Sequence, residues 1–235
     1  MKKVLALAAT LLLSAGVVLA QDTDNKNSTP EKQKPARDAI MLQFGYDAWT
    51  DVPDSIHTTG FGRGFNAYLC YDFPIQKSHF SFAAGLGIGT SNIYFKDQEL
   101  RFTDTGALGS MVRFLPESRD YKKSKLTTAY LEAPFELRYF GNKDNRNKGF
   151  KAAIGLKAGL LVGAHTKTKR SVEGNSVVEK VNTKRYLETW RIGATVRLGW
   201  GNFSVFGTYN LNKPFKEGSG PQVTPYSVGL CITGL

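Results

Sequence analysis

The chain has 235 residues, a formal charge of +11, three histidines, two cysteines and 12% aromatic residues. Scattered histidines and distant cysteines give no metal-ligand spacing, and no cofactor is expected. The basic charges lack interleaved stacking aromatics, which argues against nucleic acid as a partner.

The first residues, MKKVLALAATLLLSAGVVLAQ, carry two lysines, an apolar run from Val4 and a small-residue ending at Val18-Leu19-Ala20. This is the layout of a secretory signal peptide over residues 1–20. Loss of Lys2 and Lys3 lowers the charge from +11 to +9. Residues 21–38, QDTDNKNSTPEKQKPARD, are polar and of mixed charge, and read as a flexible periplasmic leader. From Ala39 the texture is uniform, so residues 39–235 are expected to form one domain. No later apolar run suffices for a spanning helix. Entry into a membrane would require a closed sheet.

Eight segments then alternate with period two, the strand signal. The first, about 39–49, places Ile40, Leu42, Phe44 and Tyr46 on one face. The second, about 64–73, carries Phe65, Ala67, Leu69, Tyr71 and Phe73. The third, about 79–94, carries Phe80, Phe82, Ala84, Leu86 and Ile88. The fourth, about 125–140, includes AYLEAPFELRYF and sets Leu131, Ala133, Phe135, Leu137 and Tyr139 against Glu132, Pro134, Glu136 and Arg138. The fifth, about 150–165, sets Ile154, Leu156, Leu160 and Val162 against Lys151 and Lys157. The sixth, about 187–200, sets Trp190, Ile192, Val196 and Leu198 against Arg191 and Arg197. The last two, about 203–211 and 224–235, carry Val205 and Tyr209, then Tyr226, Val228, Leu230 and Ile232.

The connections at 50–63, 95–124, 166–186 and 212–223 are long; those at 74–78, 141–149 and 201–202 are short. Long loops at one end and short turns at the other are the plan of an outer-membrane barrel. A soluble barrel with its apolar face inward is the alternative. Glycine separates the two. Gly85, Gly87, Gly89, Gly155, Gly159, Gly163, Gly193 and Gly199 all fall on the polar face, where a narrow eight-stranded interior needs room for side chains. Phe80, Phe82, Phe135, Tyr139, Trp190, Trp200 and Tyr226 on the other face are too bulky for that interior and suit lipid and its interfaces. The expected fold is all-β: an eight-stranded antiparallel up-and-down transmembrane β-barrel in the bacterial outer membrane.

The stretches AYLEAPFELRYF, YDFPIQKSHFSFAAGLGIG, IGATVRLGWGNFSVFGTYNLNKPFK and PYSVGL together resemble the PorT-like family of outer-membrane β-barrel proteins. The resemblance spans about Ile40 to Leu235 and implies a signal peptide, an outer-membrane location and eight strands. The family's namesake takes part in protein secretion. The ending CITGL departs from the aromatic residue with which such barrels often finish.

Inward charges are Glu132, Glu136, Arg138, Lys151, Lys157, Arg191 and Arg197. They are expected to pair and fill a polar, closed lumen, with Glu132 near Lys157 and Arg138 near Lys151. Pro134 removes a ladder hydrogen bond, so a bulge is expected there. In the first loop, His57, Ser55, Asp51 and Asp54, with Asp47, offer nucleophile, base and acid types, but these are also ordinary loop residues. Catalysis is not expected. Cys70 and Cys231 point inward with one strand between them, too far apart for a disulfide.

The third long loop is basic through Lys167, Lys169, Arg170, Lys180, Lys184 and Arg185, and the second adds Arg113, Arg119, Lys122, Lys123 and Lys125. Such a rim suits outer-membrane lipid, lipopolysaccharide phosphates or an acidic protein partner. GALGSMVRFLPE in the second loop is apolar enough to cover the barrel mouth or dock on another protein. A binding, adhesion or envelope-structural protein acting through surface loops is the first reading. A secretion component is the second and a lipid-modifying enzyme the third.

Overall fold

The computed structural model describes residues 39–75, 78–102, 112–116, 121–142, 145–172 and 175–234. The expected signal peptide and leader, Arg119, all of GALGSM and Leu235 lie outside these residues, as do the side chains of Lys122 and Lys123.

Eleven strands follow in chain order: β1 Ile40–Thr50, β2 Arg63–Pro74, β3 Phe80–Phe95, β4 Gln98–Phe102, β5 Val112–Pro116, β6 Tyr121–Phe140, β7 Phe150–Val172, β8 Asn175–Asn182, β9 Trp190–Trp200, β10 Phe203–Asn210 and β11 Thr224–Thr233. Eight of them close a ring in the order β6-β3-β2-β1-β11-β10-β9-β7, sealed by the antiparallel pairing of β6 with β7. These are the eight segments expected from alternation. The barrel is closed, so its wall has no free edge.

Along the wall one face is apolar and exposed. Phe44, Leu69, Leu86, Ile154, Val205 and Leu230 lie on it, and Trp200 and Phe203 keep 70% and 68% of their surface uncovered. Exposed apolar area on this scale demands lipid. Phe73, Phe80, Phe150, Trp200 and Phe203 gather at the short-turn end, and Trp190, Tyr209 and Tyr226 at the loop end. These are the two aromatic girdles of a membrane barrel.

The inner face splits into two storeys. Paired charges fill the half toward the short turns and continue up through Glu132 to Arg191. The half toward the loops adds an apolar cluster to the expected polar lumen: Trp49, Ile93, Phe95, Leu126, Tyr130 and Leu161 point inward from the wall, beside buried Asp47, Thr208 and Asn210. Loop residues descend onto them, Ile56 from the first loop, Leu100 and Val112 from β4 and β5, Tyr186 and Leu187 from the third loop, Phe215 and Val223 from the fourth. Loop contacts tie this lid together, including Val112 N–H to the Ser219 carbonyl at 2.9 Å and Lys216 N–H to the Tyr186 carbonyl at 3.0 Å.

Three strands were not expected. β4 and β5 form a separate hairpin, and β8 extends the sheet beyond the membrane on β7, pairing from His165–Asn182 to Val172–Asn175. Sequence NSVVEKVN has no apolar-polar contrast, because both faces of β8 meet water.

The pairing of β6 with β7 shifts register at two places, between Tyr121 and Lys123 and between Ala129 and Tyr130. Tyr130 pairs with Leu161 but Ala129 pairs with Gly163, which leaves Val162 as an extra residue in a bulge. At Pro134, by contrast, the expected bulge is absent. Pairing with β3 skips Gly85 and Leu86 opposite Pro134 and Ala133, then resumes in the same register. The proline ring is accommodated because residue 85 is glycine: a Cβ there would lie 3.2 Å from Pro134 Cγ and 2.7 Å from Cys70 Sγ.

Candidate functional site: a sealed lumen beneath a basic extracellular sheet

The lumen charges form two clusters. Glu132, on β6, is fully buried; its Oε2 accepts from Tyr68 Oη at 2.5 Å and lies 3.4 Å from Lys157 Nζ, while its Oε1 binds Arg191. The Arg191 guanidinium also stacks 4.0 Å from the centre of the Tyr130 ring. Nearer the short turns, Glu136 Oε2 receives Arg138 Nε at 2.7 Å and Arg197 Nη2 at 2.9 Å. Arg138 Nη1 continues to Asp72 Oδ1 at 2.9 Å. Arg146 reaches up from the 141–149 turn to lie 3.6 Å from Asp72 Oδ2.

The register brings Glu132 and Lys157 together as expected, but not Arg138 and Lys151 as a pair. Arg138 faces Ala153, and Lys151 faces Phe140 with its Nζ 5.6 Å from the ring centre. Arg138 has two anionic partners, Glu136 and Asp72, and Asp72 was not among the expected lumen charges. Its signal was available: Asp72 stands between outward Tyr71 and Phe73, so parity turns it inward. Tyr68 and Asp47 follow from the same rule, and both are buried. Arg146 lies on a turn, where no periodicity announces it.

Such a lumen neutralises buried charge by pairing, and the apolar lid closes it on the loop side. Among the described residues, buried side chains fill both storeys. Cys70 and Cys231 are free thiols in a small cluster with Met41, Tyr68 and Phe206.

The first-loop candidates are held by separate contacts. Asp51 Oδ2 accepts from Thr224 Oγ1 at 2.8 Å and lies 3.9 Å from Lys213 Nζ; Asp47 is buried in the lumen. Gln98 holds the segment by its side chain, accepting from His57 N–H at 2.9 Å and donating to the Ser55 carbonyl at 2.5 Å. No hydrogen bond joins Ser55 Oγ to His57 among the described residues.

Outside the lumen, β6, β7 and β8 rise together beyond the lipid band as a three-stranded sheet. Lys125 on β6 stands opposite Lys167 on β7, which stands opposite Lys180 on β8. Lys169 projects from the same outward face, opposite Val178. Lys125 is steadied by Asn92, Nζ to Oδ1 at 2.7 Å, and sits 5.8 Å from the centre of the Tyr94 ring. His165 occupies the next row down, between Thr127 and Asn182. Partial burial, together with Lys180, Lys125 and Lys167, holds its imidazole pKa below the usual 6.5. The rest of the expected basic rim is dispersed. Arg170 falls on the opposite face with Thr166 and Thr168, and Lys184 and Arg185 stand exposed in the following turn.

No curated protein matches the chain. Among solved structures, Ail, the attachment invasion locus protein of Yersinia pestis, aligns over 85% of this chain and 98% of its own, at 14% identity and a TM-score of 0.33. The model of the outer membrane protein beta-barrel domain family matches residues 21–216. With its closed wall and lipid-facing belt, the chain belongs to that family and resides in the bacterial outer membrane.

Proposed function

We propose that this barrel conducts nothing and acts by binding, with the outward lysine face of β6, β7 and β8 holding phosphate and carboxylate groups of lipopolysaccharide in the surrounding leaflet. The observation that carries the reading is the in-register row Lys125, Lys167 and Lys180, with Lys169 above it. Lys125 stands six positions along β6 from Leu131 in the lipid band. At about 3.3 Å per residue and a tilt of roughly 40°, the row stands about 15 Å higher, among headgroups and their sugars. Three ammonium groups held side by side repel one another unless anions intervene. The reading assigns no catalytic step.

The test is amine acetylation read by mass spectrometry, with the barrel in lipopolysaccharide-containing or in phosphatidylcholine vesicles. Lipopolysaccharide is expected to shield Lys125, Lys167, Lys169 and Lys180 while leaving the exposed loop residues Lys96 and Lys216 unchanged. Equal labelling of all six in both vesicles would remove the proposal. A second reading, as accessory component of a protein-secretion assembly, draws on the likeness of Ala129–Phe140 and Ile192–Lys216 to PorT-like barrels. Recovery of the barrel in a large envelope complex after crosslinking would favour it.

A further inference from the structure

The strand β8 is bonded along one side only. Its eight residues pair with β7, and among the described residues no backbone group pairs with its other side. All eight are exposed, including Val177, Val178 and Val181. On that free side every second residue presents an unmet N–H and C=O. Natural edges are blunted by proline, bulges or repeated charge. Asn175–Asn182 contains no proline and no glycine, its ladder with β7 is unbroken, and its two charges, Glu179 and Lys180, cancel. An unguarded edge outside the cell is a template for one more strand.

The side chains say what that strand carries. Lys180 shares the outward face with Lys167 opposite it, so the neighbour on that face meets positive charge. Val177, Glu179 and Val181 point to the other face, where Glu179 and Val181 line the crevice that β7 and β8 form with β4. We propose that the free edge of β8 docks an extended segment of another polypeptide, acidic on the face that meets Lys180 and Lys167, as an added strand. Backbone hydrogen bonds supply the attachment, and the acidic face answers Lys180 and Lys167. A second copy in the same membrane does not fit. Strands tilt by about 40°, so two barrels related by an axis along the membrane normal would cross their β8 edges at about twice that angle, and no ladder forms. The backbone edge is distinct from the lysine face proposed for lipopolysaccharide but shares Lys167 and Lys180 with it, so it is tested without that lipid.

The experiment uses the full chain in phosphatidylcholine nanodiscs and a fluorescent eight-residue peptide of alternating glutamate and valine, matched to the length of β8. The peptide is expected to bind and to slow amide exchange at alternate residues of β8. Methylating every backbone nitrogen of the peptide keeps its charges and removes its donors; binding is then expected to vanish. Lys180→Glu is expected to weaken binding about tenfold or more, the equivalent of one lost ionic contact, with folded-barrel gel mobility unchanged. Equal binding of the methylated peptide would reduce the site to charge attraction and overturn the proposal. So would unchanged exchange along β8, absence of binding at millimolar peptide, or crosslinks joining β8 to β8 of another copy.

Discussion

The carboxylate of Glu132 lies over the α-carbon of Gly89, in the space where any other residue would carry its Cβ. A flexible side chain could swing aside, but this one is held by Tyr68, Lys157 and Arg191. Asn66 Oδ1 also stands 2.9 Å from that Cβ position. Gly89→Ala is therefore expected to destabilise the barrel by about 1–3 kcal/mol, the usual cost of overpacking. At Gly163 the nearest atom to a new Cβ is Ala129 Cβ at 4.0 Å, so Gly163→Ala is expected to be neutral. Urea midpoints of the two variants in vesicles, read by heat-modifiable gel mobility, check the contrast.

Glu136 separates two guanidinium groups. Replacing it with glutamine keeps the shape and leaves Arg138 and Arg197 facing each other without their shared anion. Glu136→Gln is expected to cost about 3–5 kcal/mol, as for other broken buried pairs. The same urea titration measures it, and loss below about 1 kcal/mol would show that the cluster is solvated.

Conductance tests the two-storey plug. The paired charges and the apolar lid each close the cylinder, so purified barrel in planar bilayers is expected to give no unit current steps. Steps that scale with protein number would mean that the lid opens.

The thiols report on the lumen too. Cys231 pairs across β1 with Gln43, whereas Cys70 N–H bonds to the Ala39 carbonyl, so the two are offset along the wall as well as separated by a strand. Denatured, unreduced protein is expected to take up two maleimides per chain, and folded protein none, because both sulfurs are buried. Intact mass gives the count directly.

The imidazole of His165 is expected to titrate below 6.5 in folded protein, with burial first and the lysines second as causes. Below that pH an unfolded chain accepts a proton that the folded site resists, so the stability tied to His165 is complete above 6.5 and declines as the pH falls through it. Lys180→Gln is expected to raise the midpoint. Carbon-13 shifts of the labelled ring follow both.

Much of this was legible in the sequence wherever one face of a strand met lipid and the other a crowded axis. Ile154 and Lys157 had to part company, and period two recorded it. The rule failed where that contrast vanished: both sides of Val177 to Val181 are wet, so β8 read as loop. It also failed for the upper storey, because Leu126, Tyr130 and Leu161 are inward and apolar, and alternation does not distinguish an inner oily face from an outer one. Asp72 was within reach of the parity argument; Arg146, on a turn, was not.

Val162 sets the phase of everything beyond it on β7. Ahead of the bulge the even-numbered side chains look outward, as Ile154 and Leu156 do; after it the odd-numbered ones do, and Lys167 and Lys169 turn to the environment while Thr166 and Thr168 turn in. Excision of that one valine would send both ammonium groups into the throat and bare the threonines. A frame shift one residue wide thereby marks the waterline on β7 and aims the chain's positive charge at the neighbourhood rather than at itself.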